Sequence, residues 1–415
     1  MPTVTDDSLA PPITRPGQGR RLLNLSPFRG LPREVGVLAA VAFCVAAGFG
    51  IVAPAIPVFA RSFGVSRTAA GAVISAFALM RLTSALGVGR LVDRIGERVV
   101  LGTGIGLVAG SSALAGLAAN YGQLLGLRAA GGIGSAMFSV SATTLLLGST
   151  TSEQRGRAMG AFSGGFLLGG IAGPALGGII TGWSLRAPFF IYAGTLAAAG
   201  SIGLVLLPRH EHAVAAKKAS SQAALGILHA LRLPAFRAAA FANLADNWAA
   251  VGARSAIVPL FVVEALHEPP LWTGIGFTVF TLANIVTLLA GGRATDRRGR
   301  RPVLLVGCLV SAAGTALLAL PPSLPLLIGA LTVFGLGSGL LDVAPGAMMG
   351  DVVGGRGGTV VAGYQMAGDL GSLAGPLVAG YLADSAGFGT AFAATAAVLV
   401  AAAVVAFRAP ETLIR

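Results

Sequence analysis

Six ionisable side chains stand inside long apolar runs: Arg81, Arg128 and Arg254 against Asp246, Asp342 and Asp369. A charge in an apolar interior is costly, so such residues are by default paired or functional. Three bases against three acids suggests pairing. Their distribution says more. The apolar runs up to Leu207 hold Arg81 and Arg128 but no Asp or Glu. A carboxylate partner would have to come from the second half of the chain; otherwise backbone, water or a bound solute must serve. A pair made between two halves can be broken and remade as they move, which is one way to tie a proton to motion. Asp246 and Arg254 share one run. On a straight α-helix they would lie about 12 Å apart along the axis and about 80° around it. They would not pair, but both could border one cavity. Arg128 and Arg254 could hold an anionic group or repel a cation, and the sequence does not choose.

The elements that must position these groups follow from composition. The 415 residues are 54% hydrophobic and only 11% charged, with mean hydropathy +0.80. A soluble domain is about 25% charged. Runs of about 20 apolar residues predict an all-α integral membrane protein instead. Twelve spans are expected, near 35–58, 69–89, 99–119, 122–147, 158–181, 187–207, 238–263, 271–291, 302–320, 325–349, 359–382 and 387–407. The net charge of +13 comes from basic residues in the links, so nucleic acid is not the expected partner; the bilayer is. Of the 29 Lys and Arg, three lie within spans and only Arg61, Arg67 and Arg186 in the links of one side. The other side holds the rest, which places both termini in the cytoplasm. Residues 1–34 read as a flexible cytoplasmic tail without a cleavable signal, 35–207 and 238–407 as two six-helix halves, 208–237 as a cytoplasmic link with Lys217 and Lys218, and 408–415 as a short tail. Cys44 and Cys308 lie in apolar runs and read as small buried hydrophobes.

The halves repeat. GRLVDRIGER, from Gly89 to Arg98, returns as GRATDRRGRR, from Gly292 to Arg301, at an offset of 203. Gly173-Pro174 returns as Gly375-Pro376 at 202, and Arg155-Gly156 as Arg356-Gly357 at 201. Two parallel six-helix repeats are one known plan for a secondary transporter.

These residues carry a resemblance to the major facilitator superfamily over roughly 35–407. Gly89, Leu91, Asp93, Arg94, Gly96 and Arg98 match the family signature between spans 2 and 3, with Glu97 where a basic residue is usual. Gly292, Asp296, Arg297, Gly299, Arg300 and Arg301 match it between spans 8 and 9, with Ala294 in place of Leu. Arg128, Gly132 and Gly134 match the R-x-x-x-G-x-G core of proton-coupled members. Gly160, Gly169, Gly173, Pro174, Gly177 and Gly178 match the antiporter signature of span 5. Glycines permit the sharp turns and the close helix packing that both motifs need. Asp93 and Asp296 can accept from Arg side chains or a helix N-terminus.

The resemblance implies that the decapeptides act as latches between rocking halves, and that the span 5 signature goes with export. It implies that helices 2 and 11 pack together, which would make Arg81–Asp369 an intramembrane bridge. It also implies that helices 1, 4, 7 and 10 line a central cavity. Asp246 and Asp342 are then the expected proton carriers, with Arg128 and Arg254 on the same pathway. Phe43, Phe49, Phe241, Trp248 and Phe334 would supply walls for lipophilic compounds.

Other chemistry is missing from the sequence. No G-x-x-x-x-G-K-[ST] occurs, and the glycine runs at 102–106 and 335–339 lie in apolar spans. His210, His212, His229 and His267 have no cysteine nearby, so no metal site is expected. No nucleophile arrangement is visible, and an enzyme is not expected. The expected function is proton-coupled export of small hydrophobic, drug-like compounds across the plasma membrane by a monomer, driven by a proton gradient without a cofactor. The alternatives are proton-coupled uptake of a polar nutrient or organic anion and, more remotely, a non-transporting membrane sensor.

Overall fold

The computed structural model describes residues 30–151, 154–207, 230–353 and 358–413. Most of the expected 1–34 tail lies outside the described residues. So do 208–229 of the 208–237 link, with Lys217, Lys218, His210, His212 and His229, and the Arg356-Gly357 pair.

Every regular element among the described residues is helical. The first half comprises α1 (Arg33–Val52), α2 (Ala55–Arg61), α3 (Arg67–Ile95), α4 (Glu97–Gly116), α5 (Tyr121–Gly148), α6 (Arg155–Trp183) and α7 (Ala187–Leu206). The second comprises α8 (Pro234–Asn247), a π-helical segment (Trp248–Ile257), α9 (Val258–Glu264), α10 (Leu271–Arg298), α11 (Arg300–Leu317), α12 (Leu324–Leu341), α13 (Ala344–Val353), α14 (Gly358–Ala386) and α15 (Phe388–Phe407). The pairs α1–α2 and α12–α13 are single spans broken at Ala53-Pro54 and Asp342-Val343, and α8, the π segment and α9 together form the seventh. The result is the expected all-α fold of twelve spans.

Ten of the spans are long and apolar enough to cross a membrane by length and composition. The seventh fails that measure because it is divided into pieces of 14, 10 and 7 residues. The eleventh, α14, carries Asp369, Asp384 and several glycines in its 29 residues.

Local chemistry sets the ends. Ser66 caps α3 by accepting from Ala69 N at 3.1 Å. Asn120 caps α5 by accepting from Gln123 N, and Gln123 Oε1 accepts from Ala119 N in return, both at 2.9 Å. The α3–α4 and α10–α11 turns pass through Gly96 at φ 85° and Gly299 at φ 110°, a region that side chains with a Cβ avoid.

Each half has its own core. One packs around Leu38, Leu101, Leu124 and Phe189, the other around Ile257, Leu304, Phe334 and Phe392. The halves meet where α3 runs along α14 and α6 along α10.

Candidate functional site

The site begins with the helix contacts that the glycines permit. A Cβ at Gly132 would strike the backbone at Phe77 and Arg81, and one at Gly134 the backbone of Gly104. So α5 lies hard against α3 on one side and α4 on the other. That places Arg128 over the Phe77 ring, at 4.7 Å from its centroid, with the residue only 3% exposed.

The α6 signature does the same for α1. Gly169, Gly173 and Gly177 face the backbone of Phe43, Ala47 and Ile51, leaving no room for a side chain. Gly178 meets Gly274 of α10, across the halves, while Gly160 faces open space. The later Gly-Pro pair repeats the job: Gly371 and Gly375 face the backbone of Leu244 and Trp248. There the chain leaves α-helical geometry for the π segment, which carries Arg254. Ser255 Oγ donates to Ala250 O at 2.9 Å within it. The angle expected between Asp246 and Arg254 on a straight α-helix therefore does not apply. Such π insertions frequently mark functional sites.

Between the halves lies a cavity of two lobes, of about 230 and 360 Å3. Both touch Phe49, Phe77, Arg81, Arg254 and Ser255. Arg128 borders the first lobe; Phe138, Phe166, Tyr192 and Phe277 wall the second. A wider vestibule of about 900 Å3 opens from Arg81 and Asp369 towards the end that carries the decapeptides, with Ser139, Thr143, Asn243 and Gln365 on its walls.

The structure brings Arg81 and Asp369 together across the halves: Arg81 Nη2 donates to Asp369 Oδ1. Arg254 rests over Phe280 at 4.4 Å and Phe277 at 5.4 Å, and its Nε reaches only Ala250 O at 3.4 Å. Asp246 and Asp342 are not among the lining residues of either lobe. Asp246 is buried and accepts from Ser338 Oγ at 2.9 Å. Asp342 is exposed, sits at the α12–α13 break and accepts from Asn284 Nδ2 at 2.8 Å. Ser338 links the two acids, because its carbonyl accepts from Asp342 N at 2.9 Å. Of the aromatics singled out in the sequence, Phe49 faces the cavity, whereas Phe334 is fully buried against Phe280.

The two decapeptides share a frame and differ in partners. Arg98 donates through Nη2 to Leu204 O, and Arg301, in the same register, to Phe407 O. In the second copy Arg300 also binds Asp296 at 3.0 Å and Asp351 at 3.1 Å. Glu411 there accepts from the N–H groups of Arg300 and Arg301 at 2.8 and 3.1 Å. Asp93 and Arg94 of the first copy are exposed and make no ion pair among the described residues. Gly89, Gly292 and Arg297 lie at the same end.

Sequence reasoning missed the opposite end. There Glu264 receives Arg61 and Arg67 of the other half, each at 2.8 Å. Asp384 accepts from the N–H of Arg67 and Thr68 at 3.0 and 2.9 Å and from Thr68 Oγ1 at 2.7 Å. Arg67 also donates to Ala383 O and lies over Phe388. The signal available was the rarity of acids at that end, but Glu264 and Asp384 sit in links and read as ordinary loop charges.

A polytopic helical membrane protein with two like halves around a shared cavity is a transporter architecture, and the comparisons agree. Residues 38–253 and 238–414 match the Major Facilitator Superfamily, and the chain belongs to that family. It is 29% identical over 171 residues to Multidrug resistance protein 2 of Bacillus subtilis, covering 41% of this chain and 42% of that protein. That match therefore spans well under half of the relative. It is 27% identical over 384 residues to Multidrug resistance protein MdtG of Klebsiella pneumoniae, covering 86% of this chain and 89% of the relative. A bacterial homolog of the human lysosomal transporter Spinster, in an inward-facing and unoccupied conformation, shares the fold. Its TM-score is 0.74 at 16% identity, over 92% of this chain and 97% of that one. The protein is a multi-pass membrane protein of that superfamily.

Proposed function

We propose that the protein exports small, largely hydrophobic compounds from the cytoplasm across the plasma membrane by proton-coupled antiport. It works as a monomer with both termini cytoplasmic, and draws on the proton gradient without a cofactor. The observation that carries this reading is the aromatic cavity between the halves, together with two linked carboxyls, Asp246 and Asp342, outside its lining. Phe49, Phe77, Phe138, Phe166 and Tyr192 offer an apolar wall suited to lipophilic cargo. Asp246 and Asp342 each have a neutral donor and, among the described residues, no cation within ion-pair distance. They can gain or lose a proton without breaking a salt bridge, and an acid at membrane depth is by default functional. Exposed Asp342 would exchange the proton and buried Asp246 would hold it. The names of the relatives and the complete α6 signature support the direction.

A second reading, uptake of a polar nutrient or anion, is favoured by the polar walls of the vestibule, with Asn243, Asn247 and Gln365 beside Asp369. One assay separates the two. Inside-out vesicles from an efflux-deficient bacterium are energised to acidify the lumen, and a quenching dye reports lumenal pH while compounds are added. Export predicts that lipophilic drugs release lumenal protons and that Asp246→Asn or Asp342→Asn abolishes the release. Release seen only when a polar solute has been preloaded in the lumen, so that both leave together, would favour uptake. No release across a broad panel, with folded and inserted protein, would remove proton coupling.

A further inference from the structure

We propose that the cargo of the central cavity is an amphipathic organic anion, with an aromatic or aliphatic body and one carboxylate-type group. This rests on the reading of the cavity as the transport site, and not on the direction of transport or its coupling ion.

Three guanidinium groups border the two lobes. The charge of Arg81 is met by Asp369. Arg128 and Arg254 have no carboxylate within ion-pair distance among the described residues. Arg128 makes no hydrogen bond there at all, and its Nε is buried without an acceptor. Arg254 has one long bond to a carbonyl of its own helix. Both lie on aromatic faces, Arg128 on Phe77 and Arg254 on Phe280. Stacking of that kind supports the cation but occupies only the face of the guanidinium. Its five N–H donors lie in the plane and still need acceptors.

Two cations held at membrane depth with unfilled donors around one small cavity form a receptor for an oxyanion. A carboxylate can take two parallel N–H groups from one guanidinium, a geometry that neither a neutral amide nor an amine offers. The nearest acids, Asp246 and Asp342, accept from Ser338 and Asn284 and make no ion pair with either arginine among the described residues. The lobes, at about 230 and 360 Å3, suit a small drug-sized body. The Phe166 and Tyr192 side would take the ring, and the Arg128 and Arg254 side the charge. A cationic cargo would meet like charge on that side.

The test uses the purified full-length protein in nanodiscs and three probes with one body: 4-phenylbutyrate, 4-phenylbutyramide and 4-phenylbutylamine. Calorimetry is expected to show the carboxylate binding at least ten-fold more tightly than the amide, with the amine weakest. Arg128→Gln and Arg254→Gln should each remove most of that preference while leaving amide binding in place, and Arg254→Lys should keep part of it. Because Arg128 is buried, each variant is first checked for a monodisperse elution profile, and Arg254→Gln alone is sufficient to decide. Amine binding equal to carboxylate binding, a preference that survives Arg254→Gln, or no carboxylate binding up to its solubility limit would each overturn the proposal.

The exporting reading fails separately. Exchange of a singly charged anion for one entering proton moves two charges, whereas cotransport with one proton moves none. In proteoliposomes, phenylbutyrate flux that ignores an imposed membrane potential would remove proton antiport and leave the anion site standing. Proton release driven by the amine but not by the carboxylate would leave export standing and overturn the anion.

Discussion

The two ends of the molecule are built on opposite plans. At the end away from the decapeptides, the halves are joined side chain to side chain: Arg61 and Arg67 share Glu264, and Asp384 caps the start of α3. At the decapeptide end, no ion pair joins the halves among the described residues. The vestibule opens there, and Arg300 of the second decapeptide binds Asp296 and Asp351 within its own half. The structure is thus closed at one end and open at the other, with the cavity between. For a transporter, the clamp that is made now is the one that must break, and the charges idle now are those available to make its counterpart.

The largest effect is expected inside one half, where α6 packs on α1. Gly177→Val places a branched side chain against the backbone of Ile51, where nothing can give way. Overpacking of this kind costs about 1–3 kcal/mol, and more where backbone must move. The variant should be lost from the monodisperse peak on size-exclusion chromatography. Gly160→Val, facing open space, should elute normally.

Next comes the clamp. Glu264→Gln weakens two part-buried pairs, each worth about 1 kcal/mol. The closed end should then open roughly thirty-fold more often, by the same arithmetic. Hydrogen exchange at the amides of Arg67 and Thr68, which Asp384 now protects, should quicken by about that factor.

A smaller contrast is expected between the decapeptides. Asp351→Asn removes a partner of Arg300 and should lower the melting temperature of the detergent-solubilised protein by about a degree, an effect of about 1 kcal/mol or less. Asp93→Asn should leave it unchanged, because Asp93 makes no ion pair among the described residues, yet should slow transport.

The smallest effect concerns pH. Burial alone would raise the pKa of Glu411, but the backbone N–H groups of Leu413, Arg300, Arg301 and Thr412 outweigh it and hold the carboxyl below its ordinary value. Its contribution is therefore fully present above the ordinary carboxylate range and is lost as pH falls through the lowered value. Acidification should free the 408–413 segment to limited proteolysis, and Glu411→Gln should make that segment equally open at neutral pH.

The sequence made the fold legible because charge is so scarce in it. Apolar runs set off by basic links mark the spans, and two copies of one decapeptide mark the repeat. The turn at Gly96 and Gly299 and the arginine anchors at Leu204 and Phe407 recur at one offset, since a turn is a local matter. What surrounds each turn is not. Asp351 and Glu411 lie 51 and 111 residues from Arg300 and have no counterpart motif to announce them. The far clamp joins residues 203 and 317 apart. The π segment has no periodic signature, because it arises where Gly371 and Gly375 press on Leu244 and Trp248. Asp246 and Asp342 stood out as intramembrane acids, but their retreat behind the cavity depends on Ser338 and Asn284, which a residue-by-residue reading passes over.

The central claim is that the two ends open in alternation about the cavity. It is tested most directly by spin-label distances across both ends of one protein in nanodiscs, using one cysteine pair per end in a background without Cys44 and Cys308. The account predicts opposed changes: Glu264→Gln, or a change of pH in the presence of cargo, lengthens the distance at the far end and shortens it at the decapeptide end. Distances that lengthen together, or a far end that stays closed when Glu264 is replaced, would contradict it.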